Sequence, residues 1–206
     1  MGRLWRARVF VVVIGAAIAV PLRAGQSPAD KTASAQMQSS VTSILVRAQM
    51  AANAKKPLAL QKTTFTDSQL NAWLKMDGKA NVPVGLVSPQ ISFDALGKLT
   101  ARGLVDLDGV RKSKERGVLD PMNYLSGSLP IVLVGKLSGV SGAGTFDVES
   151  ATLNGVTVPR LLIQELIAYY SKSPDFPDGI TLGKPFPLPA GVKTLLISKG
   201  SATVVQ

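Results

Sequence analysis

Few side chains in this sequence can do chemistry, and their spacing narrows what that chemistry could be. Asp106 with Asp108, and Asp147 with Glu149, stand two residues apart in stretches where apolar and polar residues alternate. On a strand that spacing puts both members of a pair on one side. Two carboxylates so placed could exchange protons or hold a hard cation. The same alternation also describes the wet face of a half-buried strand, and both pairs are read that way. The glycines of "GVSGAG" (139–144) lack the Lys-Ser/Thr ending and the following helix of a phosphate loop, and read as a hairpin turn. In "RKSKER", Arg111, Lys112, Lys114 and Arg116 form a basic run without interleaved aromatic residues. That argues against stacking on nucleic acid and leaves a solvated loop, available to anionic head groups or a membrane surface.

The chain contains no histidine and no cysteine. Catalytic triads built on histidine, His- or Cys-ligated zinc, thiolate chemistry and disulfides are therefore excluded. So is a lipobox cysteine. No metal or cofactor is implied, and the chain is read as non-enzymatic.

Its 206 residues, 46% of them hydrophobic, suffice for a single domain with a substantial core. Aromatic residues make up 5%, so the interior must be lined mainly by aliphatic side chains. The formal charge is +10, and Arg3, Arg6, Arg8 and Arg23 contribute four of those charges. A basic balance favours anionic partners. Residues 1–24 have the layout of a secretory leader: a basic start, an apolar run from Val9 to Val20, then Pro21 and the small Ala24. The run is shorter than the ~20 residues of a membrane span. The expectation is an exported, periplasmic or envelope-associated protein, with the leader cleaved or kept as an N-terminal anchor. Nucleic acid is not an expected partner.

Residues 25–57 read as a polar linker followed by an amphipathic helix from about Ala33 to Ala54, with Met37, Val41, Ile44, Leu45, Ala48 and Ala52 on one face. Residues 58–206 read as a single α+β domain. Thr66 and Gln69 form a capping box, with Phe65 and Leu70 as the accompanying hydrophobic staple, and the helix this predicts places Leu70, Trp73 and Leu74 together. From Val82 the period becomes two. Val87, Pro89, Ile91 and Phe93 alternate with polar residues, and after a turn Leu99, Ala101, Gly103, Val105 and Leu107 do the same. A second hairpin spans "SLPIVLVGKLSG" and "AGTFDVESATLNG", with Phe146, Val148 and Ser150 opposing Asp147 and Glu149. Pro159 suits the first turn of a helix whose Leu162, Ile163, Leu166, Ile167 and Tyr170 fill one face. A Pro/Gly-rich connector and a hairpin turned at Lys199-Gly200 end the sequence. Adjacent antiparallel pairs without βαβ alternation predict a curved antiparallel sheet built from successive hairpins, with helices packed on one face.

The segments "FTDSQLNAWL", "VSPQISFDALGKLTARGLVDLDG" and "PFPLPAGVKTLLISKGSATVV", with the two-hairpin stretch between them, resemble exported TULIP-like lipid-binding proteins, in particular the YceB-like and LmeA-like bacterial envelope families. The resemblance spans Thr63 to Val205 as a pattern of elements. The insert "VRKSKERGVLDPMNYL" and the missing lipobox cysteine depart from the YceB-like pattern. It implies a curved sheet around a long helix and a lipid held or transferred in an apolar groove, and it carries over no catalytic residue. Between the sheet and the helices at 67–76 and 159–171, the expected lining is Leu70, Trp73, Leu74, Ile91, Phe93, Leu162, Leu166 and Tyr170. The alternative is a structural or assembly factor of the envelope, with a closed core and a protein partner.

Overall fold

The computed structural model describes residues 27–113, 115–174 and 176–206; the expected leader at 1–24 and Lys114 lie outside the described residues. The chain begins with helix α1 (Pro28–Asn53), strand β1 (Lys62–Thr66) and helix α2 (Asp67–Lys75). The hairpin β2 (Leu86–Ala95) and β3 (Lys98–Asp106) runs into the short helix α3 (Leu107–Lys112). A longer hairpin, β4 (Ser128–Val140) and β5 (Ala143–Leu153), is followed by the short β6 (Val156–Thr157) and helix α4 (Arg160–Tyr170). Strand β7 (Pro185–Pro187) and the hairpin β8 (Thr194–Ser198) and β9 (Ser201–Val205) complete it. The strands form one open, curved antiparallel sheet in the order β1-β9-β8-β4-β3-β2, with β5 on the other edge of β4 and pairing β6 and β7. The α+β class and the antiparallel sheet of hairpins match the expectation.

α1 starts earlier than its apolar periodicity suggests. Ser27 caps it by accepting from the Asp30 N–H at 3.1 Å, and Pro28 occupies the first turn. A cap, a proline and an acid make a helix start, and here they convert much of the expected linker into helix. Met37, Val41 and Ile44 are buried along one narrow stripe, whereas Ala52 is exposed. α2 carries the expected capping box: the Thr66 hydroxyl accepts from the Gln69 N–H at 3.2 Å, and the Gln69 side chain accepts from the Thr66 N–H at 2.8 Å.

The same helix covers an otherwise open sheet edge. Asn71 donates through Nδ2 to the Ile91 carbonyl and accepts the Ile91 N–H on Oδ1, both at 2.7 Å, so its amide stands in for a neighbouring strand on β2.

Two bulges move side chains away from the faces that strict alternation predicts. In β2 the register shifts between Val87 and Gln90, where Ser88 has φ +50°. Pro89, Ile91 and Phe93 keep the inner face, but Val87 turns outward and Leu86 inward. In β5 the shift opposite Val134/Gly135 leaves Phe146 buried while Ser150 is exposed.

The carboxylate pair Asp106/Asp108 does not sit on a strand as expected. Asp106 ends β3 and caps α3, accepting from the N–H groups of Asp108 and Gly109 at 3.0 and 3.3 Å. The "RKSKER" run is not a solvated loop throughout either, because Arg111 and Lys112 form the last turn of α3. One hydrophobic core takes side chains from all four helices, including Met37, Trp73, Val110 and Ile163, together with inward residues of the sheet such as Ala101, Leu133 and Ile197.

Candidate functional site

An apolar cavity lies between α1, the start of α2, the curved sheet and the segment at 186–192; its volume is about 180 Å³. Each wall follows from a local pattern. α1 contributes Met37, Val41 and Ile44, spaced four and three residues apart on its inner stripe. Phe65 and Leu70, on either side of the Thr66 cap, form the next wall. The sheet supplies Ile91, Phe93, Leu99, Leu137, Phe146, Leu195, Ile197, Ala202 and Val204. The remaining wall is the connector, through Ile180, Phe186, Leu188, Pro189, Ala190 and Val192. Every lining side chain is apolar.

The connector is a strip with its own two-residue alternation. Phe186 and Leu188 are half-buried toward the cavity, while Pro185 and Pro187 face solvent. β7 pairs with the edge of β5, opposing Gly144 with Phe186, and the Leu188 N–H donates to the Gly142 carbonyl at 2.8 Å. Proline is tolerated because the strip lies at an edge. Close seating depends on two glycines. A Cβ at Gly139 would lie 2.7 Å from Leu188 Cδ1, and one at Gly144 would lie 2.8 Å from both Leu188 Cδ2 and Phe186 Cζ.

Of the eight residues expected to line a groove, Leu70, Ile91 and Phe93 are on the cavity wall, and Trp73, Leu74, Leu162, Leu166 and Tyr170 are not. Those five are buried in the packed core. Trp73 is 1% exposed and donates its indole N–H to Gln38 Oε1 at 2.7 Å. The Tyr170 hydroxyl accepts from the Asp106 N–H at 2.9 Å and lies within donating distance of the Gly85 and Asp106 carbonyls. Burial raises its pKa above the ordinary tyrosine range. The greasy face of α4 thus packs into the core away from this cavity, and only its Leu162 also borders a separate recess. Helical spacing says that a face is buried; it does not say whether the face meets a void or another side chain. The Phe186–Leu188 alternation was the available signal for the missing wall, hidden among prolines.

The expected head-group run also rearranges. The Arg116 side chain is only 4% exposed and forms ion pairs with Glu165 of α4 and, at 3.1 Å, Asp120. Glu165 and then Asp120 hold its pKa above the usual arginine value. Arg116 therefore ties the insert to α4, with little of its side chain left exposed. Arg111 is partly exposed and pairs with Asp108 at 2.7 Å, whereas Lys112 is exposed.

The Asp147/Glu149 pair lies on the solvated side of β5, as expected. Asp147 bonds Arg160 at 2.7 Å, which lowers its pKa, as does the Val148 N–H. Glu149 bridges Lys136 at 2.8 Å and Lys98 at 2.7 Å, and these two ammonium groups pull its pKa down to about 2. Carboxylates held ionised in this way are poor proton donors at neutral pH. No cluster of three or more metal-ligating side chains occurs among the described residues, and no described helix is long and apolar enough to cross a membrane. No protein-family model, curated protein or solved structure matches the chain.

Proposed function

We propose that this protein is a non-catalytic binder of lipid-like ligands and that the cavity between α1 and the sheet takes their hydrocarbon. The observation that carries this reading is the wholly apolar lining of a space of about 180 Å³. Protein interiors are normally close-packed. An engineered void of ~150 Å³ lined by aliphatic and aromatic side chains stays dry and binds benzene. The leader-like layout of residues 1–24 supports a location outside the cytoplasm, and the resemblance to TULIP-like envelope families supports a lipid as ligand.

A protein-partner reading draws on a different place. Leu119 and Leu161 are 86% and 74% exposed and border one recess beside Glu165 and Tyr169. Contiguous exposed apolar surface of this kind suits an assembly contact.

Mass spectrometry of an organic extract from the purified protein tests the main reading. Lipid recovered in a fixed ratio to protein is the expected result. A lipid-free extract, together with failure to take up a fluorescent acyl probe, refutes it.

A further inference from the structure

A second pocket, of about 370 Å³, adjoins the apolar cavity, and in it basic side chains join a largely apolar lining. Arg47, Lys55, Lys56 and Lys193 all line it. The two pockets share a wall. Ala190 lines both; Ile44 and Ala48, one helical turn apart on α1, line one each; and Val192 and Lys193 do the same on successive residues. Gln206 stands at the junction. Its Nε2 donates to the carbonyls of Ile44 at 2.9 Å and Ala190 at 2.7 Å, which fixes the orientation of the amide. Its Oε1 is then buried without a partner, an acceptor at this boundary for a hydroxyl or ammonium donor.

Among the described residues lining this pocket, none carries a side-chain carboxylate. Among the described residues no carboxylate lies within ion-pair distance of Arg47, Lys55, Lys56 or Lys193. Arg47 donates to the Ala59 carbonyl, which holds its guanidinium beside the pocket. The three lysines are exposed. Lys55 and Lys56 follow the C-terminus of α1, whose partial charge of roughly −0.5 is small against four full positive charges.

We propose that Arg47, Lys55, Lys56 and Lys193 form the head-group subsite for an acidic lipid whose hydrocarbon enters the apolar cavity past Ala190. This rests on the hydrocarbon reading of the cavity and adds the chemical class of the ligand to it. The subsite replaces the run at 111–116 as the place where an anionic head is met. An apolar cavity beside a cluster of cations without ion-pair partners matches the two ends of an acidic amphiphile, and a neutral or cationic amphiphile would leave those charges uncompensated.

The test compares decyl phosphate, decanol, decyltrimethylammonium and inorganic phosphate by calorimetry on the wild-type chain and on Lys55→Gln/Lys56→Gln/Lys193→Gln. The three lysines are solvent-exposed, so the variant keeps its core, and unchanged urea melts verify this. Several exposed, salt-screened ion contacts predict about tenfold tighter binding of decyl phosphate than of decanol at low salt, with the gap closing as salt rises. In the variant, decanol should bind as before and decyl phosphate should lose most of its advantage over decanol, Arg47 keeping the remainder. Equal affinity of the wild type for decyl phosphate and decanol overturns the head-group subsite and leaves the hydrocarbon reading standing. Binding of inorganic phosphate as tightly as decyl phosphate makes the pocket a free-anion site and overturns the amphiphile. If no alkyl compound binds, both readings fall.

Discussion

Filling the cavity by substitution separates a ligand-sized space from a packed core. Ala202 on β9 is 3% exposed and lines the cavity, opposite Phe65 of β1 and Ile197 of β8 in the ladder. Ala202→Leu adds three carbons at this wall. At ~0.8 kcal/mol for each buried methylene the transfer gain is about 2.4 kcal/mol. Ordering the leucine side chain costs about 0.5–1 kcal/mol, so the ligand-free protein should gain about 1–2 kcal/mol. Were the same position fully packed, forcing in the larger side chain would cost about 1–3 kcal/mol, and the two cases differ in sign. Urea melts of delipidated protein read the sign directly, as a rise in midpoint at unchanged slope. Titration with a fluorescent acyl probe on the same sample should show weakened uptake, since the added carbons occupy the ligand's space. Destabilisation by 1 kcal/mol or more would mean that the space is not free to accept atoms. Stabilisation with unchanged probe uptake would place any bound hydrocarbon elsewhere.

Leu166, 2% exposed in the core and off the cavity wall, should behave oppositely: Leu166→Ala should cost about 2–5 kcal/mol in urea melts while sparing probe uptake, and Leu166→Gln should fail to fold. Thr66→Ala removes the N-cap of α2 and should cost about 0.5–2 kcal/mol, and a change below measurement error would deny the cap its role. Glu149 is depressed from the ordinary 4.5 to about 2, first by Lys136 and then by Lys98, so its contribution to stability is complete above pH 4.5 and is lost as pH falls toward 2. The stability difference between wild type and Glu149→Gln should therefore shrink over that window, and a difference that stays constant with pH would contradict the assignment. Gly139→Ala should push Leu188 away from β4, lowering stability and loosening the connector, which faster amide exchange at Leu188 would register.

Local chemistry was the part of this molecule that could be read from its letters. The Thr66–Gln69 box and the Lys199-Gly200 turn involve neighbours in sequence and form as expected, and the two-residue period of β2 to β5 holds except at the bulges. The first turns of α1 were missed because Ser27, Pro28 and Asp30 look like linker residues unless they are taken together as a cap. The outward turn of Val87 and the exposure of Ser150 follow from bulges, which a fixed period cannot anticipate. Longer-range pairing left less trace. β1 joins β9 across the whole domain, and Arg116 is buried against Glu165 on α4, although its own neighbourhood is a run of solvated charge. The candidate site was legible only in part for the same reason. Leu70, Ile91 and Phe93 are on the wall, but the choice between wall and core for Leu162 and Leu166 depends on what faces them, and that is set by residues distant in sequence.

Occupation of the space between α1 and the sheet by hydrocarbon can be read by NMR on methyl-labelled protein mixed with decanol, through contacts between ligand methylenes and protein methyl groups. Contacts are expected to Ile44, Ile91, Ile197 and Val204 on the cavity wall and none to Ile163 and Ile167 in the core beside it. Contacts confined to Ile163 and Ile167, or to the exposed methyl groups of Leu119 and Leu161, would contradict it.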